Sequence, residues 1–392
     1  MATEPELAVE LRQAMSNLRW ELGLAPLSDA DIGGPAAPPK PGEGARGHVN
    51  RWDGAAGLDR PLALVGPTAS GKTAVVLALA ELVGSLEAVA ADSMTVYRHM
   101  NTGTATPTAA ERARVPHHLL DVVEPHEEFS VARFQRAADR AFDAIADRGS
   151  RAVLVGGTGL YHRAVIDALE LPGRYPDVAA ALEAELAAGA SVESLHARLA
   201  RLDPEAAGRM EPANRRRVLR ALEVTVGSDR PFSSYGPGLG VAPPTPFVQV
   251  GLRLERAETA RRIRARFRAM MEAGLLDEVR SLLALPRPWS RTAAQALGYR
   301  ELAEHLDGKR SLDDAVEVAI VRTQQFAVRQ ERWFRRDPRV SWVDGHAAPH
   351  EVAERIRAAW AAAGSHGDLG HSQAGMDHGS ATEGGSGAFR TQ

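Results

Sequence analysis

Gly66-Pro67-Thr68-Ala69-Ser70-Gly71-Lys72-Thr73 follows the apolar run Leu62-Ala63-Leu64-Val65 and precedes a helical run from Ala74 to Leu82. The order is strand, glycine-rich loop, helix, with the phosphate-loop spacing G-x-x-x-x-G-K-T. Glycines let backbone N–H groups curl around a phosphate, the helix N-terminus adds its dipole, and the lysine adds a mobile charge. Gly66 to Thr73 are therefore the expected diphosphate- or nucleotide-binding residues, with the Thr73 hydroxyl as the expected Mg²⁺ ligand. Lysine is scarce: of 47 lysines and arginines only three are lysine, at positions 40, 72 and 309. Lys72 is thus not background composition. The loop specifies a polyphosphate but not a reaction, because kinases, GTPases and some transferases share it.

Outward from the loop, the length of 392 residues suggests two domains plus tails. A hydrophobic fraction of 44% supports a sizeable core, and a net charge of −3 announces no global attraction to nucleic acid. Charge is local instead. Arg209 to Arg220 and Arg322 to Arg339 are both strongly basic segments. The absence of cysteine excludes a disulfide framework, thiol catalysis and cysteine-ligated metal. No apolar run reaches membrane-spanning length and the N-terminus has no signal-peptide pattern, so a cytoplasmic protein is expected.

Residues 1–59 read as an N-terminal extension and linker, with an amphipathic helical pattern over 4–23 and a Pro/Gly-rich stretch over 33–48. Residues 60–166 and 244–345 read as two parts of an α/β core with a parallel sheet. Between them, 167–243 reads as a helical insertion rich in Ala, Leu, Glu and Arg. Residues 346–392 read as a disordered C-terminal tail, with Gly, Ser and His dominant from about 364. The histidines at 346, 350, 366, 371 and 378 are too irregularly spaced to predict a metal site.

Four features accompany the loop. Asp92-Ser93 ends the second predicted strand, on the sheet edge where ligands bind. Asp92 is foremost a candidate Mg²⁺ ligand or general base, with a cap on the next helix, together with Ser93, as the lesser alternative. Gly156-Gly157-Thr158-Gly159 follows the next buried strand and brings flexible backbone and one hydroxyl to the same edge. Asn214-Arg215-Arg216-Arg217-Val218-Leu219-Arg220 reads either as a phosphate-facing helix end or as a solvated basic face. Arg329-Gln330-Glu331-Arg332-Trp333-Phe334-Arg335 interleaves basic and aromatic residues, which suits looped nucleic acid or a helix end packed on the core.

Taken in order, these motifs resemble the bacterial tRNA dimethylallyltransferases, also called tRNA isopentenyltransferases. The segments that carry the resemblance are Gly66 to Thr73, Asp92-Ser93-Met94 with Val96-Tyr97-Arg98, Gly103-Thr104-Ala105 with Pro107, and Pro116 to Asp121. Val155 to Tyr161, Arg217 with Arg220-Ala221-Leu222-Glu223, Leu297 to Glu301, and Arg329-Gln330 with Trp333-Phe334-Arg335 complete the series. It covers about 60–345.

That family moves a dimethylallyl group from dimethylallyl diphosphate to N6 of adenine 37 beside the tRNA anticodon. The resemblance implies a phosphate-loop core, Mg²⁺, and a helical insertion that grips the anticodon stem. By the same resemblance, the loop would hold the diphosphate, Arg266 would stand near it and Asp92 would be the base at N6. Asp92, Ser93, Met94, Thr95 and Thr158 would touch tRNA. So would Arg216, Arg217, Val218, Leu219, Arg220, Gln295, Gly298, Tyr299, Arg300, Arg329, Gln330, Trp333 and Arg335. A monomer is expected. The chain departs from the family at Thr95, Asn101, Thr106, Ala179, Gln324 and Val328.

Other readings start from the same loop. A small-molecule kinase would use Asp92 on a hydroxyl with ATP in the loop, leaving both arginine segments without a role. A prenyltransferase acting on free adenine nucleotides would need no tRNA. A regulatory GTPase is excluded by the missing N-K-x-D signature, since no lysine follows an asparagine.

Overall fold

The computed structural model describes residue 52 and residues 54–363. The helical pattern at 4–23, the linker at 33–48 and the segment from 364 lie outside the described residues. Six strands form one parallel sheet: β1 (Leu62–Val65), β2 (Leu86–Ala91), β3 (His117–His118), β4 (Arg151–Gly156), β5 (Val248–Arg253) and β6 (Ser341–Asp344). Their order is β3-β2-β4-β1-β5-β6. β1 and β2 are buried along their whole length, as expected of apolar strands covered on both faces.

The register fixes the site. Ala91 on β2 and Val65 on β1 both pair with Gly156 on β4, and Val65 also pairs with Gly251 on β5. The chain therefore leaves these strands side by side, at Asp92, Gly157 and Gly66. From β1 the chain moves to the β2 side of the sheet, and from β4 to the β5 side. The switch lies between β1 and β4, where ligands bind in open α/β sheets.

Helices α1 (Lys72–Val83), α2 (Val131–Asp147) and α3 (Gly159–Ile166) connect the first strands. The insertion contains α4 (Pro176–Ala187), α5 (Val192–Leu202) and α6 (Arg215–Ser228). After β5 come α7 (Arg256–Glu272), α8 (Leu275–Leu283), α9 (Tyr299–Leu306) and the long α10 (Leu312–Arg335). Helices α7 and α8 are separated at Gly274, whose φ of 91° is left-handed and which caps α8. Ser311 starts α10 by accepting from the Asp314 N–H, with Asp313 and Asp314 favouring the positive helix end.

One sheet face packs α1 through Leu64, Val76, Leu79 and Val250. The other packs α2, α7, α9 and α10 through Ala63, Leu154, Phe142, Phe267 and Ala327. A separate cluster, Val178, Leu182, Leu195, Leu199, Val218 and Leu222, belongs to the insertion alone. No helix among the described residues is long and apolar enough to cross a membrane.

The expectation of a disordered tail from 346 is corrected at its start. Residues Pro349–Ala361 form helix α11. Val352, Ala353, Ile356 and Trp360 recur at helical spacing and bury against the α1 face of the sheet. Trp360 has no exposed surface and its indole N–H donates to the Arg60 carbonyl at 2.8 Å.

Candidate active site

Gly71 caps α1 with a φ of 89°, which glycine adopts without strain, and the loop turns directly into the helix. Lys72 folds back over the loop: its Nζ donates to Gly66 O at 2.9 Å and Pro67 O at 2.8 Å, and lies 3.4 Å from Ser70 Oγ. Burial lowers the Lys72 pKa to about 8, opposed by Asp92 and assisted by Arg266. Three sequence-predicted residues thus share one electrostatic environment.

Arg266 reaches the loop from α7. Its Nη2 donates to Thr104 O at 3.0 Å and its Nη1 lies 3.5 Å from Thr68 Oγ1. Burial lowers its pKa as well, and Asp92 opposes that shift. Asp92 emerges from β2, where its Oδ1 accepts the Met94 N–H at 2.8 Å. This is a local turn within the loop. The next helical turn begins only at Asn101, so Asp92 caps no helix. No described residue hydrogen-bonds its Oδ2, which leaves that oxygen available as an acceptor. Thr158 closes the edge: its N–H donates to Ala91 O, and its Oγ1 accepts the Ser93 N–H at 3.2 Å.

Helix α10 ties the two glycine loops together. Gln330 Oε1 accepts the Thr68 N–H at 2.8 Å, and Gln330 Nε2 donates to Gly157 O at 2.9 Å. Trp333 lies over Gly159, where a Cβ would stand 2.1 Å from its Nε1. Gly157 and Gly159 are therefore glycines because α10 approaches them closely. Gln330 is buried and Trp333 partly buried.

The remaining predicted residues divide by burial. Gln295, Arg300, Arg329 and Arg335 are exposed. Arg300 pairs with Glu304 at 3.1 Å and Arg335 with Glu331 at 2.6 Å, while Arg329 lies 5.8 Å from the Phe326 ring centroid. Arg216 and Arg217 are exposed on the insertion, and Leu219 is partly buried there. Burial corrects four further expectations. Val218 and Tyr299 have no exposed surface, so neither side chain can touch RNA. Val218 fills the insertion core. The Tyr299 hydroxyl donates to Glu278 Oε1 at 2.6 Å and accepts the Gly103 N–H at 3.1 Å. Gly298 is likewise buried, its N–H held by Glu301. Thr95 is buried too, and its hydroxyl has no partner among the described residues.

Arg220 is committed within the protein. It donates to Glu223 Oε1 at 2.6 Å and to the carbonyls of Pro172 and Gly173. Glu223 in turn accepts the Tyr175 N–H. The pair latches the segment that enters the insertion.

Sequence reasoning missed Glu278, which accepts the Thr102 N–H and the Tyr299 hydroxyl, and Arg262, which lies near Gly71. Arg262 had a signal: it stands four residues before Arg266, on the same helix face. Glu278 had none, because its partners come from distant segments.

The arrangement is an anion-binding loop flanked by Lys72 and Arg266, with a carboxylate at its rim. It can hold a polyphosphate and accept a proton beside it. Among the described residues, no three His, Cys, Asp or Glu side chains gather as a metal cage. Mg²⁺ usually takes few protein ligands and completes its shell with phosphate and water, so the Thr73 hydroxyl beside the loop fits it.

A model of the family described as IPP transferase matches residues 95–337. A tRNA dimethylallyltransferase of Kineococcus radiotolerans is 47% identical over 303 residues, covering 75% of this chain and 94% of that protein. One of Streptomyces coelicolor is 46% identical over 297 residues, covering 76% and 94%. The full-length tRNA isopentenylpyrophosphate transferase of Bacillus halodurans has a similar structure, with a TM-score of 0.57 and 36% identity over 80% of this chain and 99% of that one.

Proposed function

The chain belongs to the IPP transferase family, and from that premise we propose that it transfers a dimethylallyl group from dimethylallyl diphosphate to N6 of adenine 37 in tRNA, releasing diphosphate. The observation that carries this reading is the placement of Asp92: a carboxylate at the rim of a phosphate loop, close enough to Lys72 and Arg266 to oppose the lowering of both their pKa values.

Cleaving an allylic C–O bond develops negative charge on the diphosphate and positive charge on carbon. The loop N–H groups, Lys72 and Arg266 stabilise the leaving charge. When bound at Thr73, Mg²⁺ supplies further charge neutralisation on the phosphates. The N6 lone pair is delocalised into the purine, so the amine is a weak nucleophile. Asp92 accepts its hydrogen bond, restores nucleophilicity and takes the proton. Adenine leaves the anticodon-loop stack to reach the site, at small cost for an unpaired nucleotide.

The exposed arginines Arg216 and Arg217 bind the anticodon stem through phosphates, while Arg300, Arg329 and Arg335 face the loop. The insertion, 167–243, acts as a unit between the two core parts, 60–166 and 244–345, and its separate apolar cluster supports that division. The enzyme works as a cytoplasmic monomer.

Nucleoside mass spectrometry tests the reading, after incubation with unmodified tRNA, Mg²⁺ and either dimethylallyl diphosphate or ATP. Prenylated adenosine with the first donor supports it. Phosphoryl transfer from ATP to a small hydroxyl compound, with no prenylated nucleoside, favours the kinase.

A further inference from the structure

Helix α7 carries Arg262 and Arg266 four residues apart, on one face. Arg266 meets the start of the phosphate loop at Thr68. Arg262 meets its end: its Nη1 lies 3.9 Å from where a Cβ on Gly71 would stand. The two guanidinium groups therefore approach the loop at two separate points, Thr68 and the Gly71 cap of α1.

Arg262 is also held differently from its neighbour. Arg261 is 70% exposed and gives Glu258 two parallel hydrogen bonds, at 2.7 and 2.8 Å. Arg262 is 29% exposed and gives Glu258 only its Nε, at 2.5 Å. Both Nη groups of Arg262 lack a hydrogen-bond partner among the described residues, and one of them lies beside the loop. Glu258 thus orients the guanidinium by its inner nitrogen and leaves the outer fork toward the N-terminal turn of α1. That turn has no acidic residue and no side-chain cap.

We infer that Arg262 is a second arginine of the diphosphate site. It binds the phosphate farther from the transferred carbon, while Arg266, the one nearer Asp92, binds the phosphate beside the breaking bond. Glu258 is its positioning residue. A planar fork suits a phosphate held by two oxygens, which a point charge does not reproduce. The assignment of the ligand as the leaving diphosphate rests on the function proposed above.

The test is calorimetric titration of inorganic diphosphate, and separately of inorganic phosphate, into the full chain with Mg²⁺. Arg262→Ala is expected to weaken diphosphate about 10–100-fold, the range for one charge-assisted contact. It is expected to weaken inorganic phosphate less, because one phosphate does not span both arginines. Arg262→Lys is expected to recover only part of the loss, and Glu258→Gln to show a smaller loss with Arg262 still present. Affinity for tRNA stays unchanged in all three. Wild-type diphosphate affinity in Arg262→Ala, or a loss confined to tRNA, overturns the inference and leaves Arg262 as one half of a surface ion pair. If Arg262→Ala fails to fold, full diphosphate affinity in Arg262→Lys together with Glu258→Gln overturns it instead. The titration needs neither tRNA nor a prenyl donor. A chain that binds diphosphate through Arg262 but forms no prenylated nucleoside would therefore refute the proposed reaction and not this inference.

Discussion

Gly157 and Gln330 are fitted to each other: Gln330 Nε2 donates to the Gly157 carbonyl at 2.9 Å, and a Cβ on Gly157 would stand 2.2 Å from that same nitrogen. The other end of the Gln330 amide holds the Thr68 N–H at 2.8 Å. One side chain from α10 therefore locks the loop after β4 to the loop after β1.

Gln330→Leu keeps the volume and removes both bonds. It leaves a part-buried N–H and a buried carbonyl unpaired, the carbonyl alone at a cost of about 1–3 kcal/mol. Thermal melting and diphosphate titration check this, with a lower midpoint and weaker diphosphate expected. If both stay at wild-type values while tRNA affinity falls, Gln330 acts on RNA and not on the loops.

Lys72 sets a pH limit. Its pKa is lowered to about 8, so it loses its proton as pH rises through that value and keeps it below. In the role proposed for Lys72, the protonated form is the one that holds diphosphate. The kcat/KM for dimethylallyl diphosphate, which reports the free enzyme, is expected to fall as pH rises through about 8. Bound diphosphate favours the charged lysine, so kcat should hold to higher pH. A kcat/KM flat to pH 10 would contradict this role. Lys72→Ala should lose about a hundredfold in rate at saturating donor, the usual effect of removing one stabilising contact.

Arg216 and Arg217 are exposed on α6, at a helix end that repels cations. Replacing both with Ala should weaken tRNA binding and flatten its salt dependence, since each lost phosphate contact releases about one counterion fewer. Diphosphate affinity should not change. Unaltered tRNA affinity and slope would make them a solvated face. Arg220→Ala belongs to a different class, because its bonds to Glu223, Pro172 and Gly173 hold the insertion's entry segment. Its expected effect is a lower melting midpoint.

His162 lies behind the site on α3, fully enclosed, with neither ring nitrogen hydrogen-bonded among the described residues. Burial lowers its pKa from 6.5 to about 3, with Arg339 and Arg163 assisting and Asp337 opposing. Between those values the unfolded chain binds the extra proton. Stability is therefore unaffected above pH 6.5 and falls as pH drops below it, by up to about 1.4 kcal/mol per unit. His162→Leu should be neutral or stabilising at pH 7.5 and should flatten this dependence between pH 6.5 and 5. Denaturant melts across that range decide it, and an unchanged pH slope would show that other groups carry the acid sensitivity.

The phosphate loop was legible because strand, glycine spacing and helix are adjacent in sequence. Asp92 was legible because it ends an apolar run. The roles within α10 were less so. Interleaved arginines and aromatics read either as a nucleic-acid surface or as a helix end packed on the core, and the structure shows both faces: Ala327, Gln330 and Phe334 recur at helical spacing and are buried, while Arg329, Arg332 and Arg335 face solvent. The period of the burial, not the composition, separates the two faces. Arg220 was read from its charge run, but its carbonyl partners lie 47 and 48 residues earlier in the chain, where no local pattern reveals them. Helix α11 was hidden by the Gly, Ser and His composition that follows it, although Val352, Ile356 and Trp360 already had the spacing of a buried face.

The most direct measurement of the central claim is single-turnover formation of prenylated adenosine in tRNA by wild type and Asp92→Asn, with saturating dimethylallyl diphosphate and Mg²⁺. The amide keeps the shape and the Met94 turn but cannot take the proton. The account predicts a fall of about 10²–10⁴ in rate, with tRNA and diphosphate affinities unchanged. Wild-type rate in Asp92→Asn would contradict it and leave Asp92 as a turn residue at the edge of the sheet.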